Sequence, residues 1–232
     1  MIHEAWFKFN GIDSRSLGIR VTRMPETVRA EKRIESLTVP GRSGAIHTDE
    51  GAYESYDRTM ECAIIRRDKL DKIVAWLQGS GEIIFSTEPD KIYHVTISNK
   101  ISIAQMMRTF QKFQVTMDCQ PFKYSVSSRQ NVMELTEAMN ILNVGTVYSE
   151  PTITVYGTGD ITLTINGQPF PLYDVDGSIT IDSDAMEVYK GTANQNNKYG
   201  SMYFPRLEVG DNSISWVGTV TKVEIIPKWR WV

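Results

Sequence analysis

Val39-Pro40-Gly41-Arg42-Ser43-Gly44 and Cys119-Gln120-Pro121-Phe122-Lys123-Tyr124 decide how this chain is read. In the first string Pro40 fixes φ and carries no N–H, while Gly41 and Gly44 permit positive φ, so a strand must stop there and swing out. The second string closes the alternating run Phe113, Val115, Met117, and Pro121 is expected to end central strand pairing. Together they predict a β-rich first half with a projecting loop, then a different second module. Neither string has a catalytic pattern.

Working outward from the first string, Ala5–Asn10 reads as a strand ending in the hairpin pair Asn10-Gly11. Further strands are expected at 18–22 and 34–39. Residues 40–56 form a long loop or hairpin of a length usually kept for function or pairing. Strands follow at 58–65, 82–85, 93–98 and 109–117. One helix is expected over 68–78, where Leu70, Ile73, Val74 and Leu77 make a single stripe, Asp68 caps the start and Gly79 the end. Residues 125–140 are polar and read as a linker. Beyond them short strands at 152–156, 160–165, 178–181, 186–189, 213–216 and 220–226, separated by Gly, Pro and Asn turns, predict an antiparallel sandwich.

Length and composition agree. The 232 residues suffice for two modules with real cores, and 41% hydrophobic with 23% charged residues is ordinary for a globular protein. The net charge of −3 is unevenly split. Residues 1–130 hold 19 Lys and Arg against 16 Asp and Glu, and residues 131–232 hold 6 against 12. Opposite signs favour contacts between modules or subunits, and the missing basic stripe argues against duplex nucleic acid. The N-terminus lacks the charged-then-apolar layout of a secretory signal, and no apolar run is long enough for a membrane span. Cys62 and Cys119 are too few and too far apart for a disulfide framework or zinc site and read as buried thiols.

The possible chemistries each meet a simpler reading. His3, His47 and His94 have no neighbours at metal-ligand spacing, and no nucleophile elbow is present. Gly41-Arg42-Ser43-Gly44 lacks the Lys-Ser/Thr pair and helix of a phosphate loop. Asp174-Val175-Asp176-Gly177 with Asp182 and Asp184 is a fragment of a calcium loop set among strands, so Asp176-Gly177 reads as a hairpin turn. Trp216, Trp229 and Trp231 would stack on sugars if exposed, but large aromatics are mostly core. No catalytic residue, cofactor or metal ligand is nominated.

In order and spacing these motifs resemble the distal tail protein (Dit) family of long-tailed phages and prophages of Gram-positive bacteria. The resemblance rests on Phe7-Lys8-Phe9-Asn10-Gly11-Ile12, Ser16-Leu17-Gly18-Ile19, the Val39–Gly44 string, Trp76-Leu77-Gln78-Gly79 and the Cys119–Tyr124 string. It continues through Asn143-Val144-Gly145, Ser149-Glu150-Pro151, Ile181-Asp182-Ser183, Phe204-Pro205-Arg206-Leu207 and Gly210-Asp211-Asn212. The resemblance implies a mainly β protein. A β-sandwich-like ring domain over 1–130, with one helix and a β-hairpin extension, is followed by a linker over 131–142 and a galectin-like antiparallel β-sandwich over 143–232. It implies a non-enzymatic homohexameric ring at the virion tail tip. Its partners would be the tail tube protein, the tail-associated lysin or tip protein and a receptor-binding protein, with no cofactor, nucleic acid or membrane insertion. Val39, Pro40, Gly41, Arg42, Ser43 and Gly44 are then the subunit-contact candidates, with Arg42 as polar anchor. The alternative function is a carbohydrate-binding module contacting host cell-wall polysaccharide through the C-terminal sandwich.

Overall fold

The computed structural model describes residues 5–65, 67–97, 103–107 and 110–232. The chain divides into two compact units, one ending at Lys123 and the other spanning Tyr124–Trp231.

In the first unit the strands are β1 (Phe7–Phe9), β2 (Ile12–Asp13), β3 (Ile19–Arg23), β4 (Lys32–Thr38), β5 (Ala45–Tyr53), β6 (Tyr56–Ile64), β7 (Gly79–Phe85), β8 (Lys91–Ile97), β9 (Ile103–Met107) and β10 (Phe110–Ser125). One sheet runs β2-β1-β7-β8-β10-β6-β3, with β9 also on β10, while β4 and β5 pair only with each other. Asn10 and Gly11 take φ of 48° and 79°, the double positive φ expected at a tight hairpin turn. Strict alternation sends one side of the sheet inward. Phe7 and Phe9, Met60, Cys62 and Ile64, Ile83 and Phe85, and Val115, Met117 and Cys119 share one core. Each such side chain contributes about 1.5–3 kcal/mol by leaving water.

The helix α1 (Leu70–Trp76) is shorter than the stripe predicts. A 3₁₀ turn at Arg67–Lys69 precedes it, Lys69 rather than Asp68 occupies the cap position, and no side chain caps it. Ile73 and Leu77 enter the core, whereas Val74 is exposed. The other inward anchor is Trp76, which stacks on Phe7 at 5.5 Å and donates from Nε1 to the Phe9 carbonyl at 3.1 Å. Gly79 begins β7 instead of closing the helix.

Pro121 does not end its strand. The ladder between β10 and β6 stops at Cys119↔Tyr56, and β10 runs on to Ser125. A residue without an N–H is tolerated once that ladder has ended.

The second unit holds β11 (Met133–Leu135), β12 (Met139–Asn143), β13 (Thr152–Ile165), β14 (Gln168–Asp182), β15 (Glu187–Lys190), β16 (Ala193–Asn194), β17 (Gly210–Ile226) and β18 (Arg230–Trp231). Its sheet runs β11-β17-β13-β14-β15-β16, with β12 also on β17. Residues 131–142, read above as a linker, hold β11 and β12, and their apolar positions Leu135 and Ile141 lie in the core.

Segments expected as pairs of short strands are single long strands that curl over the core. Burial moves from Phe170 and Leu172 to Val175, Ile179 and Ile181 along β14, and from Ile214 to Val223 and Ile225 along β17. Each change from even to odd positions would turn the apolar face outward unless an extra residue were absorbed. Register shifts at Gly159/Ile161 against β14 and at Tyr156/Gly157 against β17 absorb it. Asp176-Gly177 is therefore a kink within β14 and not a hairpin turn; the β13–β14 turn is Asn166-Gly167, with φ of 50° and 80°. At the bend, a Cβ on Gly157 would lie 2.3 Å from the Thr219 carbonyl oxygen, so the strands approach there only because both Cβ and its bulk are missing.

Candidate functional site

The strands β4 and β5 form an arm. Thr38 pairs with Ala45 and Lys32 with Tyr53, with a bulge between Lys32 and Ile34. At the tip Gly41 and Gly44 adopt φ of 82° and 85°, and the Arg42 N–H closes the turn on the Val39 carbonyl at 3.1 Å. All six contact candidates, Val39 to Gly44, lie together at this exposed tip. Indeed every residue from Glu31 to Asp49 is exposed, including Ile34 at 52%, Leu37 at 59% and Ile46 at 38%. Leu37 and Ile46 are direct cross-strand partners and so form an apolar spot on one face.

Polar groups hold the ribbon. Lys32 pairs with Asp49 at 2.6 Å, Arg33 with Glu54 at 2.7 Å, and Ser36 Oγ meets His47 Nδ1 at 2.9 Å. The hydrogen bond from Lys32, aided by the Gly51 N–H, holds the Asp49 carboxyl below its usual range, and the same bond raises Lys32. These pairs face water, where solvent screening leaves such contacts little net effect on stability. A two-stranded ribbon is marginal on its own. This one is anchored at its root, where Glu54 N–H reaches the Glu31 carbonyl at 2.8 Å and Tyr53 meets Phe122 edge-on at 5.4 Å.

Beside the root lies a buried cation. Arg58 is 4% exposed, 4.9 Å from the Phe85 ring and 4.8 Å from the Tyr93 ring. It donates to the Glu26 carbonyl at 3.0 Å and the Pro25 carbonyl at 3.4 Å, so it pins the segment that leads into the arm. Nearby, Glu88 accepts hydrogen bonds from Tyr93 Oη and from Lys123 Nζ. Burial pushes the Glu88 carboxyl up, but the Lys123 and Tyr93 hydrogen bonds outweigh it and hold the group below its ordinary value. Burial, with the Glu88 contact, raises the Tyr93 hydroxyl. Sequence reading missed Arg58. The available signal was its parity, since 58, 60, 62 and 64 form the inward face of β6.

The remaining chemistry-bearing residues do not converge. His47 sits on the arm, His94 on β8, and His3 lies outside the described residues. Among the described residues no group of His, Cys, Asp and Glu is arranged to hold a metal. Asp182 is engaged by Thr152 and Lys228, and Asp176 by Lys190. Of the tryptophans, Trp229 is 9% exposed, and Trp216 and Trp231 pack on the second core. Cys62 and Cys119 are fully buried, which pushes both thiols up to about 12. Among the described residues no helix is long and apolar enough to cross a membrane.

This geometry can be set beside known proteins. Residues 13–119, which span the sheet and the arm, match the family model described as a phage tail protein RIFT-related domain. The chain is also similar in fold to the crystal structure of the Dit protein of phage SPP1, with a TM-score of 0.76. That match has 14% identity and covers 95% of this chain and 98% of the other. The chain has a Dit-like fold, and part of its first unit resembles a phage tail domain. Comparison with curated proteins gives no match. The SPP1 protein is described as a paradigm of the hub adsorption apparatus in phages that infect Gram-positive bacteria. The matched residues thus contain the arm and the Arg58 anchor, and the second unit lies outside them.

Proposed function

We propose that copies of this chain close into a hexameric ring at the distal end of a siphophage tail and connect the tail tube to the receptor-binding or tail-lysin apparatus. The observation that carries this reading is the arm of β4 and β5, a ribbon exposed on both faces that ends in Val39–Gly44. A closed ring of identical subunits uses two different surfaces per copy, and a protruding ribbon suits one of them. The likeness to a protein described as a paradigm of a phage hub adsorption apparatus supports this reading. The role is structural: the tail protein joins neighbours and turns over no substrate.

The test removes the arm without touching the cores. Because Lys32 and Tyr53 are cross-strand partners, a two-glycine turn can join them. Light scattering on the purified variant should give a monomer with an unchanged thermal midpoint, against a larger species for the intact chain. A variant that assembles like the intact chain would refute the reading.

A further inference from the structure

The outer face of the sheet beside the arm's root carries an unbalanced charge. On β6 and β10 the outward residues pair as Asp57↔Asp118, Thr59↔Thr116 and Glu61↔Gln114. Like charges placed directly opposite each other destabilise an antiparallel pair. Neither Asp57 nor Asp118 takes part in an ion pair among the described residues. The cations on this face lie toward its other end: Arg23 opposite Glu61, and both Arg20 and Lys112 opposite Ala63. Arg23 is itself held by Glu26 at 2.7 Å and lies 4.0 Å from Glu61. Here the surface forms an open groove of about 260 Å³ lined by Arg23, Glu26, Val28, Asp57, Thr59 and Glu61, with Arg58 closing its floor. Val28, 42% exposed, gives the groove an apolar lip.

The arm has the complementary set. Arg42 is the charged residue of the Val39–Gly44 tip, with Val39, Leu37 and Ile46 exposed behind it. We infer that this groove is the acceptor for the arm of a second copy of the chain, with Arg42 set against Asp57 and Asp118 and the apolar residues behind it against Val28. The two surfaces are different, so the contact is head-to-tail and repeats around a ring. The inference rests on the ring reading above and adds to it the surface that receives the arm.

Charge exchange tests the contact separately from the ring. The Arg42→Glu and Asp57→Arg variants replace exposed residues and should keep the thermal midpoint of the intact chain. Each should weaken self-association about tenfold or more, measured by light scattering across a concentration series, and the weakening should shrink as salt rises. The chain carrying both substitutions should recover most of the loss. If removing the arm abolishes assembly but the double variant is no better than the single ones, this acceptor is wrong and the ring reading stands. Assembly without the arm, or no self-association of the intact chain at any concentration, overturns both.

Discussion

The arm β4–β5 and the hairpin β13–β14 are both antiparallel ribbons with glycine at the turn, yet they do opposite things. The residues of β13 alternate between half-buried and buried, placing Ile153, Val155, Ile161, Leu163 and Ile165 in a core. The arm also spaces apolar residues, at Ile34, Leu37 and Ile46, but every one is exposed. The first ribbon is completed by its own chain. The second is left open by its own chain, so strand patterning marks apolar positions without saying whether the chain itself covers them.

Substitutions in the two ribbons should separate that difference sharply. The largest effect expected is in the curled sheet, where Leu163→Ala leaves a cavity in a site with no exposure and should cost about 2–5 kcal/mol in denaturant unfolding. Gly157→Ala comes next, at roughly 1–3 kcal/mol, because its new methyl group meets a backbone oxygen that cannot turn away. The corresponding change in the arm, Leu37→Ala, should lie within about 0.5 kcal/mol of the intact chain in stability while weakening self-association. If Leu37→Ala cost as much as Leu163→Ala, the two ribbons would be alike and the contrast would fail.

Acid sharpens the same comparison. Burial raises the Asp182 carboxyl, but the Lys228 hydrogen bond, the Ala185 N–H and Thr152 together hold it below its ordinary value. A depressed folded pKa contributes stability that is present above the unfolded value near 4 and disappears as pH falls through the folded one. Asp182→Asn should therefore lower the thermal midpoint at pH 7, with the gap to the intact chain closing below pH 4. The arm's Asp49 is depressed too but stands in water, and Asp49→Asn should shift the midpoint far less. The smallest effect concerns the thiols. Cys62 and Cys119, with pKa pushed up to about 12 by burial, should resist alkylation of the native protein at pH 8 and react only on unfolding.

Much of the local structure was legible. Asn10-Gly11 and Asn166-Gly167 named their turns because a double positive φ has few solutions other than these residues. The inward face of β10 followed from the alternation of Phe113, Val115 and Met117, and Gly41 and Gly44 marked the arm's tip. The helix was placed correctly but drawn too long, since Val74 completes a stripe that the core does not use. Arg58 was passed over because a cation at an inward position is informative only when its aromatic neighbours are known, and Phe85 and Tyr93 come from two other strands.

Turns and alternation follow from residues within a few positions of one another, and so the chain alone determines a β protein with a glycine-tipped projection. Whether two short strands are one curled strand depends on the partner strand's register, as at Gly157 and Thr219. Whether an apolar residue is buried or exposed depends on what stands across from it, as Leu37 and Leu163 show. Both are long-range matters of pairing and packing, which no local pattern encodes and which only the tertiary structure decides.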